Sequence, residues 1–369
     1  MGLSTSIGRG RVAVVIPALN PGEQFSPYIE RLMGAGFGRI VVVDDGSSKE
    51  FEETFLKIAQ YQGVKVLRHS SNSGQGASLK TAYRHLLGSP NETVGVVTAD
   101  ADGQHALEDV IRMADSILAA GVSDSVALIG SRALNSKEIP WKSRLGNTLT
   151  SAVVKVLFGE YLVDTQTGLR AFPIEMLPTL IEVRGERFEY NMNVLLNLIS
   201  SGITIKSLPI KTIYHDSANS VSHFRPFIDS LRIYLIIFRQ FLKFASSSLT
   251  SAAVDLGLFV LLIEFLFQGS PDPVSIITSV VLARCGSTLV NFSINRGLVF
   301  GSKEQKRMTI RRYYALVLLI LTASALGSAF LAQVLDGRVV WAKIIVDTTL
   351  FLFSYLAQRH WVFPARRKK

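Results

Sequence analysis

The run "LVLLILTASALGSAFLAQVL", Leu316 to Leu335, holds no charged residue over 20 positions. About 20 apolar residues in a helix cross the hydrocarbon core of a bilayer. A chain with this segment cannot fold entirely as a water-soluble globule. The same reading along the rest of the sequence gives four spans, at about 244–267, 274–300, 313–335 and 339–363. Only 18% of the 369 residues are charged, against roughly 25% in soluble domains. That deficit falls in the last third, because residues 1–240 carry charges at ordinary intervals.

The net charge of +10 invites a nucleic-acid reading, but its placement argues against one. Arg225, Arg232, Arg239 and Lys243 precede the first span. Lys303, Lys306, Arg307, Arg311 and Arg312 separate the second from the third, and Arg366 to Lys369 follow the fourth. Basic residues gathered beside spans mark a cytoplasmic membrane face. "QGSPDP" has no basic residue and "DGR" has one, so both termini and the whole first half are expected in the cytoplasm. "MGLSTSIGRGR" leads into a strand without the apolar stretch of a signal peptide, which leaves insertion to the spans. Cys285, the lone cysteine, allows no internal disulfide. Homo-oligomerisation is left open.

Residues 223–243 read as an interfacial amphipathic helix. Phe224, Phe227, Ile228, Leu231, Leu235, Phe238 and Leu242 recur at helical spacing, with Arg225, Arg232 and Arg239 on another face. The spans behind it, in a domain of 244–369, repeat. "NFSINRGLVF" (291–300) ends the second and "SYLAQRHWVF" (354–363) ends the fourth; "LTSAA" (249–253) and "LTASA" (321–325) match upstream. A duplicated two-helix unit accounts for both matches. Asp255 and Arg284 fall mid-span, with Asp347 closer to one end. Charges at that depth are costly, and two readings stay open: a pair that locks helices, or a polar path for a headgroup.

Residues 1–222 alternate strand and helix. Apolar runs at Val12–Ile16, Ile40–Val43, Val64–Leu67, Val94–Thr98 and Val126–Ile129 alternate with helical patterns near 24–35, 50–61, 75–87 and 106–120. Gly88 and Gly121 stand where helix C-caps belong. Continuous apolar strands predict a mainly parallel sheet covered on both faces. Ligands bind such sheets beyond the carboxyl ends of the strands, and "IPALN", "DDGSS" and "DADGQ" all lie there.

"TADADGQH" sets Asp100, Asp102 and Gln104 at alternate positions, facing one way if the chain is extended. Hard oxygen donors suit Mg²⁺ or Mn²⁺, with the remaining ligands taken from phosphate and water. His105 reads as the start of the next helix. Asp44 and Asp45 can accept hydrogen bonds from ribose or base. "SNSGQGASLKTAY" opens a helix whose free amides favour phosphate, with Lys80 one turn in. Asp164 is open to two readings, orienting an acceptor or sugar and capping loop backbone. Glu189 is open to the same orienting role, but it opens a helical run whose dipole it would complement.

"VVIPALN", "VVVDDGSS", "NSGQGASLKTA", "TADADGQH", "GSR" (130–132) and "DTQTGLRAF" (164–172) come in the order found in family 2 glycosyltransferases. The chain resembles their polyprenyl-phosphate subgroup, typified by dolichyl-phosphate mannose synthases. Residues 239–366 resemble the four-span GtrA-like membrane domain. The resemblance implies a Rossmann-like α/β GT-A domain with an all-α membrane domain behind it. It also implies sugar transfer, with inversion, from a nucleotide sugar to polyprenyl phosphate, and a divalent ion held by Asp100, Asp102 and Gln104. Pro17, Asp44, Asp45, Lys80 and the Asp100-Ala101-Asp102 segment would serve the donor. Arg132 and Arg144 would take the acceptor phosphate with Thr148 as a helper, and the two arginines would join Asp164 in catalysis. The family's Tyr-Asn-Glu is here Leu19-Asn20-Pro21, with Glu23 the nearest acid. In "YHDSANSVSHFR", Ser222, His223 and Arg225 stand where the family carries Arg and Lys. Two rivals are transfer to a glycan or another lipid, and a headgroup transporter that only binds nucleotide sugar.

Overall fold

The computed structural model describes residues 8–89, 92–120, 126–132, 141–211, 226–266, 273–302, 304–335 and 339–364. The chain divides near Ile236 into two compact units.

The first unit is built on a seven-stranded sheet ordered β3-β2-β1-β4-β6-β5-β7. Its strands are β1 (Val12–Ala18), β2 (Ile40–Asp44), β3 (Val64–Arg68), β4 (Gly95–Thr98), β5 (Val126–Arg132), β6 (Arg170–Pro173) and β7 (Thr204–Ile210). All neighbours pair parallel except β6, which runs antiparallel to both β4 and β5. The helices are α1 (Phe25–Gly34), α2 (Glu52–Ala59), α3 (Gln75–Gly88), α4 (Leu107–Ala120), α5 (Trp141–Phe158), α6 (Leu177–Glu182) and α7 (Glu189–Ser200). Gly88 closes α3 from within the helix, and Ser89 is its C-cap; Gly121 lies outside the described residues.

Strand alternation divides the core in two. Val12, Val14 and Ile16 pack with Phe25, Ile29 and Leu32 of α1 and Val110, Met113 and Ile117 of α4. Ala13 and Val15 pack on the other face with Leu79, Ala82, Tyr83 and Leu86 of α3 and Tyr190, Val194 and Leu198 of α7. Both faces of β1 are therefore dry, which is why its sequence is apolar without alternation. At roughly 1.5–3 kcal/mol per buried Val or Ile, this central strand anchors the loops at its carboxyl end. β1 lies between β2 and β4 although β3 intervenes in sequence, so the strand order reverses here, the place where sheets of this kind bind ligands.

The second unit, from Ile237, is helical, and its first helix begins before that division. α8 (Pro226–Leu261) is one helix of 36 residues, so the segment read as a separate interfacial helix and the first span are continuous. Its interior before Gly257 has no Gly or Pro to break it, and the run Ser246-Ser247-Ser248 costs too little helix propensity to do so. α9 (Pro273–Ile294), α10 (Lys306–Val334) and α11 (Val339–Ala357) follow. Among the described residues, three helices are long and apolar enough to cross a membrane: Phe241–Phe265, Val274–Val299 and Lys306–Leu331. α11 lies within the expected fourth span.

The repeated sequences adopt the same local form. Asn295–Val299 and Gln358–Val362 are both π-helical turns, closed by bonds from Phe300 N to Asn295 O at 2.9 Å and from Phe363 N to Gln358 O at 2.7 Å. The buried amides of Asn295 and Gln358 meet at 2.9 Å. Asn291 adds bonds to Ser251 at 3.0 Å, Asn295 at 2.7 Å and Tyr313 at 2.8 Å. Higher in the unit, Ser324 Oγ donates to Asp347 at 2.6 Å.

Candidate active site

The carboxyl ends of β1, β2 and β4 carry the expected clusters, and the loop from Asp164 to Gly168 crosses to them. Pro17 pairs in register with Val43, just beyond Val15, the last β1 residue to pair with β4. A strand residue without an N–H is tolerated there. Asn20 stitches the β1 loop to the β2 loop, receiving Ser48 N on Oδ1 and donating its own N–H to Ser47 Oγ, each at 2.9 Å. Glu23 is exposed in the turn before α1.

Asp44 and Asp45 have different surroundings. Asp44 Oδ1 accepts Ser47 N at 2.8 Å, and Arg68 Nε stands 3.1 Å from its Oδ2. Asp45 accepts the amides of Ser73 and Gly74 at 3.0 and 2.7 Å and meets His69 Nδ1 at 2.7 Å. Ala77 N is taken by the Glu186 carbonyl at 2.9 Å. At the start of α3, where free amides were expected to favour phosphate, Asp45 thus already supplies a negative charge of the kind favoured at a helix N-terminus. Lys80 sits 2.9 Å from Glu186 Oε1 and over the Tyr190 ring at 5.3 Å, fastening α3 to α7.

The Asp100 segment is not extended. β4 stops at Thr98, and the chain turns over 101–103 with Gly103 at φ 73°. Asp102 Oδ1 accepts Gln104 N at 3.0 Å, an Asx-type turn. Alternation therefore does not align the three side chains as it would in a strand. His105 is also corrected: it is buried ahead of α4, with Nε2 bonded to Asp100 Oδ2 at 3.0 Å. Burial raises the Asp100 pKa, but the His105 bond and the charges of His105, Arg170 and Arg132 outweigh it and hold it below the usual carboxylate range.

The other oxygen of Asp100 is fixed from a distance. Gln75 Nε2 donates to Asp100 Oδ1, and Asn191 Nδ2 donates to Gln75 Oε1, each at 2.9 Å. Arg170 Nη1 in turn donates to the Asn191 carbonyl at 2.8 Å, and its Nε to the Thr167 carbonyl at 3.0 Å. Arg170 is 2% exposed, and burial pulls its pKa down to about 10 against the pull of Tyr83, Asp164, Tyr190 and Asp100. A methyl group added at Gly168 would collide with the Asp100 carboxylate, so this loop and Asp100 are in direct contact.

Arg132, at the end of β5, is gripped by Asp164: Nε donates to Oδ2 at 2.6 Å and Nη2 to Oδ1 at 3.0 Å. Burial raises the pKa of Asp164, but the Arg132 bond and charge, with amides of Gln166 and Arg132, pull it below its ordinary value. Asn147 of α5 donates to the Val163 carbonyl at 2.8 Å and accepts Thr165 N and Oγ1, both at 2.9 Å. That helix carries Arg144, partly buried, and Thr148, exposed one turn later. Glu189 Oε1 accepts the amides of Glu186 and Arg187 at 3.2 and 3.3 Å, as a helix-start carboxylate should. Ala101 lies in the turn, half-buried. Ser222, His223 and Arg225 lie outside the described residues.

Three participants were not legible as site residues. Gln75 and Arg170 stood inside motifs but showed no periodicity that would set them apart. Tyr28 of α1 is buried with a hydroxyl that has no hydrogen-bond partner, and burial with the charges of Asp100 and Asp102 drives its pKa up. A divalent ion fits the chemistry of the donors, two carboxylates and an amide carbonyl, all hard oxygens. Among the described residues, no three His, Cys, Asp or Glu side chains converge, so the protein would supply part of a coordination shell completed by phosphate and water.

Residues 13–174 match the profile of glycosyl transferase family 2, and residues 243–363 that of the GtrA/DPMS transmembrane domain. An uncharacterized protein of Methanocaldococcus jannaschii is 33% identical over 58% of this chain and 86% of its own length. The UDP-N-acetylglucosamine–dolichyl-phosphate N-acetylglucosaminyltransferase of Methanococcus voltae is 32% identical over 55% of this chain and 86% of its own. Polyprenol monophosphomannose synthase of Mycolicibacterium smegmatis is 26% identical over 54% and 76%. A mostly parallel GT-A-like sheet, with Asp44, Asp45 and Asp100 at or just beyond the carboxyl ends of its strands, and a helical membrane domain agree with these matches: the chain belongs to the family 2 glycosyltransferases and carries a GtrA/DPMS-type transmembrane domain.

Proposed function

We propose that this chain transfers a sugar from a nucleotide sugar to polyprenyl phosphate at the cytoplasmic face of a membrane, with inversion at the anomeric carbon. The observation that carries the proposal is the Asp164–Gly168 loop. One end grips Arg132 and the other touches Asp100, bringing an anion-binding guanidinium and a donor-side carboxylate to one rim. The Methanococcus and Mycolicibacterium relatives, named for dolichyl phosphate and polyprenol, support a lipid-phosphate acceptor. The basic belt beside the spans supports a cytoplasmic site.

The chemistry follows from the charges. A lipid phosphate is already anionic near neutral pH and needs alignment more than a base. Arg132, held in plane by Asp164, offers the fork geometry that binds phosphate oxygens, and Arg144 adds a second positive charge. Asp100, Asp102 and Gln104 would hold Mg²⁺ or Mn²⁺, which supplies charge neutralisation to the leaving diphosphate when bound. Gln75 and His105 orient Asp100 for that task. Pro17 and Asp44 line the nucleoside end. The membrane unit presents the lipid and is a route by which its headgroup changes leaflets.

The test is direct. Purified full-length protein, labelled nucleotide sugars, Mn²⁺ or Mg²⁺ and polyprenyl phosphate should yield a sugar extractable into organic solvent. Transfer only to a non-phosphate acceptor, or nucleotide-sugar binding without any transfer across a donor panel, would reject the proposal.

A further inference from the structure

The membrane unit exposes a charged group where hydrocarbon should surround it. Arg284 lies ten residues into the span Val274–Val299, and Asp255 ten residues from the end of Phe241–Phe265. At 1.5 Å per residue both sit roughly 15 Å from the nearer span end. They are at one depth and in contact, with Arg284 Nη2 3.1 Å from Asp255 Oδ2. Ser287 Oγ donates to the other Asp255 oxygen at 2.8 Å. The carboxylate is thus satisfied on both oxygens. The guanidinium is not: its side chain is 69% exposed, and Asp255 answers one nitrogen of a five-donor group. The interface is farther away than an arginine stem reaches by snorkelling, and lipid tails offer no acceptor.

We propose that this face is the contact between two copies of the chain. One positive and one negative group side by side make a self-complementary surface. A two-fold axis along the membrane normal sets Arg284 of each copy beside Asp255 of the other. Each guanidinium is then shared between two carboxylates, and the four charges sum to zero. An anionic lipid headgroup fits less well, because the pair is already neutral and a further anion would leave the cluster negative. Ile277 and Val281, 63% and 54% exposed on the turns before Arg284, supply the apolar packing around the charges. Interfaces in membranes combine such packing with a few interhelical polar contacts.

The chain contains its own probe. Cys285, its only cysteine, is exposed and adjoins Arg284. In vesicles holding the full-length protein, a membrane-permeant oxidant should convert a large fraction to a disulfide dimer through Cys285. Val281→Cys in a Cys285→Ser background tests the neighbouring position. Neutralising both charges, Asp255→Asn with Arg284→Gln, should lower the cross-linked fraction roughly tenfold. The exchange Asp255→Arg with Arg284→Asp keeps the surface self-complementary and should restore it. No cross-linking at either cysteine position together with a single-chain mass in nanodiscs would overturn the proposal, as would cross-linking indifferent to the neutral pair. Protection of Arg284 by added polyprenyl phosphate in a monomeric protein would assign the face to lipid instead.

Discussion

Asp164 receives Arg132 on two prongs, Nε at 2.6 Å and Nη2 at 3.0 Å, from a position 1% exposed. A carboxylate so placed fixes the arginine and has both oxygens already engaged. Asp164→Asn should therefore raise the KM for the lipid phosphate far more than it changes kcat. Asp164→Ala should cost about 3–5 kcal/mol of stability, as when one partner of a buried pair is removed. The sign with pH follows from the depressed Asp164 pKa. The stabilisation is complete above the unfolded carboxylate value, about 4, and is lost as pH falls through the lower folded value. Thermal melts of wild type and Asp164→Asn should differ most at neutral pH and converge in acid. A gap that stays constant down to pH 3 would remove the ionic basis.

Asp100 is held from both sides, by His105 and by the Gln75–Asn191 pair. Gln75→Ala should leave its rotamer free on one side and weaken Mn²⁺ binding about 10–100-fold, the usual cost of losing a partner that orients a ligand. Titration of Mn²⁺ by electron paramagnetic resonance, with a nucleoside diphosphate present, measures this without turnover. Asp102→Ala should abolish metal-dependent turnover outright. Unchanged Mn²⁺ affinity in Gln75→Ala would show that Asp100 needs no such support.

Strands β1 to β5 were legible as apolar runs, unbroken in β1 and β2 because both faces are buried, whereas β7, with its largely exposed face, was not. The short antiparallel β6 was not legible: four residues beginning with a buried arginine resemble a loop. The rim residues could be located from motifs, but their geometry could not be read. Asp100, Asp102 and Gln104 alternate in sequence, yet the left-handed Gly103 and the Asp102 turn take them out of strand geometry. His105 meets Asp100 only because of that turn. The engagement of Asp45 with the start of α3 depends on a loop 28 residues away, and no local pattern reports it. In the membrane unit, by contrast, "NRGLVF" and "QRHWVF" announced two matching turns, since equal sequence at equal spacing places the same bond five residues apart.

Arg170 joins these parts as a buried cation whose two carbonyl contacts need a forked side chain. Arg170→Lys keeps the charge but cannot reach the Thr167 and Asn191 carbonyls together. A loss of about 1–3 kcal/mol is expected for each carbonyl left without its donor. Because Asn191 leads to Gln75 and Asp100, Arg170→Lys should also weaken Mn²⁺ binding in the same assay. A lower melting temperature with unchanged Mn²⁺ affinity would confine Arg170 to a structural role.

The last prediction concerns the seam between the two membrane repeats. Asn295 and Gln358 are 0% and 5% exposed, and one bond of 2.9 Å joins them. Each sits at the first position of its π turn, so its side chain bonds across the repeats while its carbonyl closes its own turn. Replacing one amide with leucine strands the other in an apolar seam. Asn295→Leu and Gln358→Leu should each destabilise the membrane unit by about 0.6–2 kcal/mol, the range of interhelical hydrogen bonds in membranes. Together they should cost less than the sum, because the second substitution removes a group the first had already stranded. Unfolding of the full chain in mixed detergent micelles gives the four stabilities of this cycle. Strict additivity would mean that the two amides lie close but do not depend on one another, and the repeats would then be joined chiefly by the packing of Phe292, Tyr313 and Phe363.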